Sequence, residues 1–78
     1  MSTNAYILIE TAVGKTREVA VALRELGGTY TVDVVTGPYD IIAVIDATDI
    51  SVIGSLVTDK IHTLGGVVRT VTCLGVGG

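Results

Sequence analysis

Two spacings of apolar residues alternate along this chain and predict which segments form strands and which form helices. Strand-like segments are rich in β-branched and aromatic residues. Four segments fit this description: residues 4–11, 29–36, 40–47 and 67–76. The third is apolar at every position from Ile41 to Ile45, which predicts a strand with both faces covered.

Helical spacing appears in two places between these strands. Val19, Ala22, Leu23 and Leu26 lie at i, i+3, i+4 and i+7, which predicts a helix over residues 15–26. A second apolar stripe follows Thr48 and Asp49, either of which can cap its first turn. This stripe consists of Ile50, Ile53, Val57, Ile61 and Leu64. Each helix is followed by a Gly-Gly pair, at 27–28 and 65–66, and glycine readily adopts the left-handed backbone that ends helices.

The order β-α-β-β-α-β predicts an α+β fold, a ferredoxin-like sheet with both helices on one face. The short link through Pro38 predicts that the second and third strands form an antiparallel hairpin. Both sides of the first and third strands are apolar: Ile7 and Ile9 oppose Tyr6 and Leu8, and residues 41, 43 and 45 oppose residues 42 and 44. Helices can cover only one side of the sheet. A large apolar face that no helix covers indicates a contact with another protein. We therefore expect two sheets to pack together as a dimeric α/β barrel.

Length and composition agree with one small domain, residues 1–78, that belongs to an oligomer. The 78 residues are 49% hydrophobic, more than one small core needs. A membrane span needs about 20 consecutive apolar residues. Acidic residues interrupt every apolar segment before that length, and the N-terminus lacks the basic stretch of a secretory signal. We expect a soluble, cytoplasmic oligomer with no membrane contact.

Charge and cysteine content exclude several classes of function. The net charge is −3 and the five Lys and Arg residues are scattered, whereas nucleic-acid binding needs clustered cations. Cys73 is the single cysteine, which excludes an intrachain disulfide and a cysteine-based zinc cluster. His62 has no second histidine with which to bind a metal. We expect no direct nucleic-acid binding, no cofactor, no metal and no catalytic site.

A resemblance adds to this interpretation. Residues 36–40, Thr-Gly-Pro-Tyr-Asp before an apolar strand, resemble the T-G-x-Y-D signature of the ligand-binding (RAM) domain of Lrp/AsnC-type regulators. The stretch IHTLGGVVRTVTCL resembles the end of that domain's second helix and its last strand, with a G-V-x-x-T-x-T pattern. The similarity covers roughly residues 5–74. It implies dimers that pair through their sheets, rings of eight or ten subunits, and effectors, usually amino acids, between dimers.

Full regulators of this family also carry a DNA-binding helix-turn-helix. Because the first strand follows Met1 by a few residues, we expect a stand-alone module without that unit. Such a module binds an amino-acid effector and can modulate transcription through a full-length Lrp/AsnC-type partner. The effector, the ring size and the partner stay open.

The resemblance also implies a set of ligand-binding residues. Its members are Gly37, Pro38, Tyr39 and Asp40 in the turn, with Thr70 and Thr72 in the last strand. Asp40 can accept from an ammonium group, and N–H groups around Gly37 can hold a carboxylate. The two threonines are two residues apart in a strand, so their hydroxyls point the same way. Pro38 replaces a residue that is often polar in the family, which removes one N–H donor.

Simpler interpretations stay open for these residues. Asp40 can bond to its own loop as a turn residue, and the threonines can be ordinary strand residues. Tyr39 can fill an interface, and Arg69 can pair with an acid of a partner or remain a free surface charge. The alternative functions are a small dimeric barrel enzyme of the monooxygenase or isomerase type, an ACT-like amino-acid sensor, and a purely structural assembly protein.

Overall fold

A computed structural model describes residues 3–26 and 29–76 of the chain. The strands are β1 (Thr3–Thr11), β2 (Thr29–Val34), β3 (Ile41–Ala47) and β4 (Val67–Leu74). The helices are α1 (Thr16–Glu25) and α2 (Ile50–Ser55), and α2 continues as a π-helix over Leu56–Ile61. The predicted order β-α-β-β-α-β is confirmed, with β2, β3 and β4 each shorter than expected. The expected end of the first helix at glycines 27–28 lies outside the described residues.

The four strands form one antiparallel sheet in the order β2-β3-β1-β4. β2 and β3 pair as the predicted hairpin, with Val34 opposite Ile41. β1 lies in the middle, with Ile7 opposite Ala43 on one side and opposite Thr72 on the other. In this order, β2 and β4 are the edge strands of the sheet.

The core lies between one face of the sheet and the helices. Every second residue of β1 and β3 points to this face because side chains alternate along a strand. Ile7, Ile9 and Ile41 have no exposed surface there, and Val19, Leu23, Ile53 and Ile61 pack against them from the helices. Ile50, which the helical stripe placed in the core, is 60% exposed because it begins α2 at the surface.

The other face of the sheet has no helix over it in the part of the chain that the structure describes. Tyr6 is 40% exposed there, and its apolar neighbours are half-buried. These neighbours are Leu8, Ile42, Val44 and Val71. We call Tyr6 and these four residues the open face. No helix among the described residues is long and apolar enough to cross a membrane.

Local contacts fix both ends of the second helix. The sequence offered Thr48 or Asp49 as its cap, and the Asp49 carboxylate accepts a hydrogen bond of 2.9 Å from the Ser51 N–H. That bond stabilises the ionised form and lowers the pKa of Asp49 below its ordinary value. At the far end, the His62 N–H donates to the Val57 carbonyl, five residues back, over 2.9 Å. This wider π-helical turn delivers the chain to β4.

Gly66 sets how β4 begins. Its φ is +99°, a left-handed backbone conformation that residues other than glycine rarely adopt. A Cβ at this position would lie 2.9 Å from the Lys15 Cβ. The Gly66 carbonyl accepts from the Ala12 N–H over 2.8 Å. Glycine therefore allows the start of β4 to pack closely against the chain just before α1.

Candidate functional site

The turn between β2 and β3 is tied to the end of β1 by Asp40. The Asp40 Oδ2 accepts from the Thr11 N–H over 2.8 Å and from the Thr11 hydroxyl over 3.2 Å. The Asp40 N–H donates to the Ile9 carbonyl, and its carbonyl accepts from the Val35 N–H, each over 2.9 Å. The Asp40 carboxylate thus binds a residue of β1, whereas only the backbone carbonyl of Asp40 bonds within the turn.

The Asp40 contact extends to α1. The Thr11 Oγ1 lies 2.7 Å from the Thr16 Oγ1. A threonine hydroxyl has one proton, and that of Thr11 goes to Asp40, so the Thr16 hydroxyl donates to Thr11. This chain of bonds joins the turn, β1 and the first residue of α1. Both of these bonds to the Asp40 carboxylate end on Oδ2.

Arg69 joins the turn to β4. Its Nη2 donates to the Tyr39 hydroxyl over 3.1 Å, and its guanidinium carbon lies 5.4 Å from the centroid of the Tyr39 ring. Its Nε lies 3.5 Å from the Glu10 Oε1. Glu10 and Arg69 are opposite each other in the β1–β4 pairing, so both point to the side of the open face. We call Glu10, Tyr39 and Arg69 the corner cluster.

Thr70 and Thr72 point to the other side of the sheet from Arg69. They lie opposite Ile9 and Ile7, whose side chains are in the core, and paired residues share a face. The Thr70 Oγ1 lies 2.5 Å from the His62 Nε2 at the end of the π-helix. Thr70 is half-buried and Thr72 is exposed.

The six residues of the predicted site do not form one cluster within a single chain. Gly37 and Pro38 are exposed, and Tyr39 and Asp40 are half-buried at the turn. The side chains of Thr70 and Thr72 lie on the other side of the sheet from the Tyr39 hydroxyl. A cavity of about 370 Å³ runs along the edge of β4, lined by His62, Val67, Val68, Arg69 and Thr70. This volume is in the range of small-molecule pockets.

Sequence reasoning did not assign Glu10, His62 or Arg69 to the site. Glu10 and Arg69 carry opposite charges near the ends of their strands, which was the one available signal. It became specific only once β1 and β4 were known to be neighbours in a fixed register. His62 comes to Thr70 because the π-helical turn ends beside β4.

A four-stranded antiparallel sheet with both helices on one face is a ferredoxin-like α+β fold. The family model for the Lrp/AsnC ligand binding domain matches residues 4–75. The chain therefore belongs to the Lrp/AsnC ligand-binding domain family, as the resemblance predicted.

Comparisons with individual proteins agree. The chain is 37% identical over 75 residues to an uncharacterised HTH-type transcriptional regulator of Pyrococcus horikoshii. That match covers 92% of this chain and 50% of the regulator, so the chain spans about half the length of the curated relatives it matches. The crystal structure of TTHA0845 from Thermus thermophilus superimposes with a TM-score of 0.92 at 33% identity, covering 97% of this chain and 95% of that one.

A more distant structure is an L-Met complex. It is the transcriptional regulator NMB0573 of Neisseria meningitidis, with a TM-score of 0.85 at 19% identity. The superposition covers 96% of this chain and 50% of the regulator. At this identity the likeness shows a shared fold.

Proposed function

We propose that this protein is an effector-binding module of the Lrp/AsnC type that binds an amino acid and responds through its assembly. The observation that carries the proposal is the family match over residues 4–75. The complex of the Neisseria regulator with L-Met supports an amino acid as the class of ligand. A modulating contact with a full-length regulator in the cytoplasm completes the proposal, since the curated relatives are HTH-type regulators.

The proposed ligand site comprises the turn residues Gly37, Pro38, Tyr39 and Asp40 together with Thr70 and Thr72. Within one chain, Tyr39 and the threonines lie on opposite sides of the sheet. A ligand held between two copies can meet the turn of one copy and the threonine side of β4 in the other. The separation of the six residues is thus compatible with a site that assembly completes.

Assembly is proposed to begin with a homodimer that buries the open face. Apolar residues fill the centre of that face, and Glu10, Arg69 and Asp46 lie around it. An apolar centre inside a polar rim is the usual anatomy of a protein interface. Dimers would then associate into a ring of eight or ten subunits. Inward-facing residues of such a barrel are mostly aliphatic, which favours binding over an enzyme's acid–base chemistry.

The test is thermal unfolding in the presence of each of the twenty standard amino acids at millimolar concentration, with the chiral ones as L-enantiomers. A ligand at a hundred times its dissociation constant adds about 2.7 kcal/mol to the folded state. For a domain of this size that raises the Tm by about 11–22 °C. A rise with one chemical group of amino acids, absent with the D-enantiomers, is the expected result. A flat panel contradicts an amino-acid effector and favours a purely structural assembly protein.

A further inference from the structure

The corner cluster offers charges of both signs at one place. Arg69 directs Nη2 to the Tyr39 hydroxyl and Nε to the Glu10 carboxylate. A guanidinium carries five N–H donors in a fixed fork, and these two contacts leave donors for a further acceptor. The Tyr39 ring, 5.4 Å from the guanidinium carbon, favours the planar cation at this position.

The contact between Arg69 and Glu10 is weak enough to be exchanged. The distance of 3.5 Å between Nε and Oε1 exceeds that of a good hydrogen bond. The two side chains are 61% and 42% exposed, and ion pairs that exposed contribute little to stability. A ligand that satisfies both charges better would therefore displace this contact at small cost.

An α-amino acid is such a ligand. Its carboxylate and its ammonium group are attached to one carbon, so both can reach a neighbouring cation and anion together. We propose that Arg69 binds the ligand's carboxylate and that Glu10 receives its ammonium group, with Tyr39 holding the guanidinium in place. This inference rests on the proposed function, and it replaces the expected pairing of Gly37 with the carboxylate and Asp40 with the ammonium.

Two further observations support this assignment. The Asp40 carboxylate is already engaged by Thr11, which makes it a less available acceptor than Glu10. Arg69 also lines the cavity along the edge of β4, so this end of the strand has space for a small molecule.

Isothermal titration tests the assignment with the L-amino acid that gives the largest thermal shift. Two analogues accompany it, the carboxylic acid that lacks the ammonium group and the amine that lacks the carboxylate. Arg69→Gln should weaken binding of the amino acid by at least about tenfold, and Arg69→Lys should weaken it less. Glu10→Gln should weaken the amino acid but spare the carboxylic acid. Arg17→Gln is the matched control, because it removes an exposed arginine from α1 and should leave all affinities unchanged.

The outcomes separate the two proposals. If the wild-type protein binds an amino acid and Arg69→Gln binds it equally well, the assignment of Arg69 is overturned and the proposed function stands. If Arg69→Gln changes the native mass and leaves affinity intact, Arg69 is an interface residue, and the assignment is again wrong. If none of the twenty amino acids binds the wild-type protein, the proposed function and this inference both fail. Circular dichroism of each variant confirms that it is folded, and Arg69→Lys retains the charge should Arg69→Gln not fold.

Discussion

The two faces of the sheet carry similar residues and have different neighbours. On the helix side of β1, Ile7 and Ile9 have no exposed surface. On the other side of the same strand, Leu8 is half-buried and Tyr6 is 40% exposed. An antiparallel sheet with one face in water usually alternates apolar with polar residues. This sheet does not, and the difference supports the proposal that a second copy covers the open face.

The largest expected effect is a difference in the free energy of unfolding between alanine variants on the two faces. Ile7→Ala leaves a cavity in the core and should lower the free energy of unfolding by about 2–5 kcal/mol. Leu8→Ala, its neighbour on the open face, removes a side chain of the same volume from a half-buried position and should cost the isolated fold less. Urea unfolding of both variants at low protein concentration measures the difference. Equal losses would mean that the two faces are buried alike within one chain.

The second prediction concerns assembly. Val44→Asp places a carboxylate in the centre of the open face, where burial of an unpaired charge is costly. The dissociation constant of the dimer should rise by at least about a hundredfold, which corresponds to about 2.7 kcal/mol. Val44→Thr has nearly the same shape and should have a much smaller effect. Sedimentation velocity measures both variants, and an unchanged mass for Val44→Asp would show that the open face is not the contact.

The third prediction concerns Asp40, which binds Thr11 at the end of β1 and is not part of the open face. Asp40→Ala leaves the Thr11 N–H and hydroxyl without their acceptor and should cost about 1–3 kcal/mol of stability. Asp40→Asn keeps an acceptor oxygen and should cost less. The dimer should persist in both variants, as light scattering can check. Loss of the dimer in Asp40→Ala would make the turn part of the contact between copies.

The smallest expected effect is at the cap of α2. The pKa of Asp49 is lowered by its bond to Ser51, so its contribution to stability is present above its ordinary pKa of 3.8. That contribution is lost as the pH falls through the lowered pKa. Asp49→Ala should therefore lower the Tm slightly at neutral pH and lose its effect in acid, whereas Asp49→Asn retains a capping side chain. A Tm difference that is constant with pH would exclude a role for the charge.

Local patterns in the sequence predicted the elements, and long-range contacts set the geometry of the site. The apolar residues of β1 and β3 and the helical stripe over α1 supplied the core residues, but residues 41–45 are apolar at every position, so their spacing did not show which side of the sheet the helices cover. The π-helical continuation of α2 has no such signal, because Val57 and Ile61 fit an α-helical stripe equally well.

The site was less predictable for a physical reason. Asp40 meets Thr11 and Tyr39 meets Arg69 across separations of 29 and 30 residues. Such pairs depend on the order and register of the strands, which the sequence of a single strand does not contain. The prediction that Thr70 and Thr72 share one side agrees with their pairing, but only the register places that side opposite to Arg69.

The native mass of the wild-type protein tests most directly whether the open face is covered by a second copy. Sedimentation equilibrium at micromolar concentration should give at least twice the 8.0 kDa of one chain. A ring of dimers would appear as a larger even multiple. A mass of one chain at micromolar concentration would contradict a dimer through the open face. It would also contradict a ligand site that assembly completes.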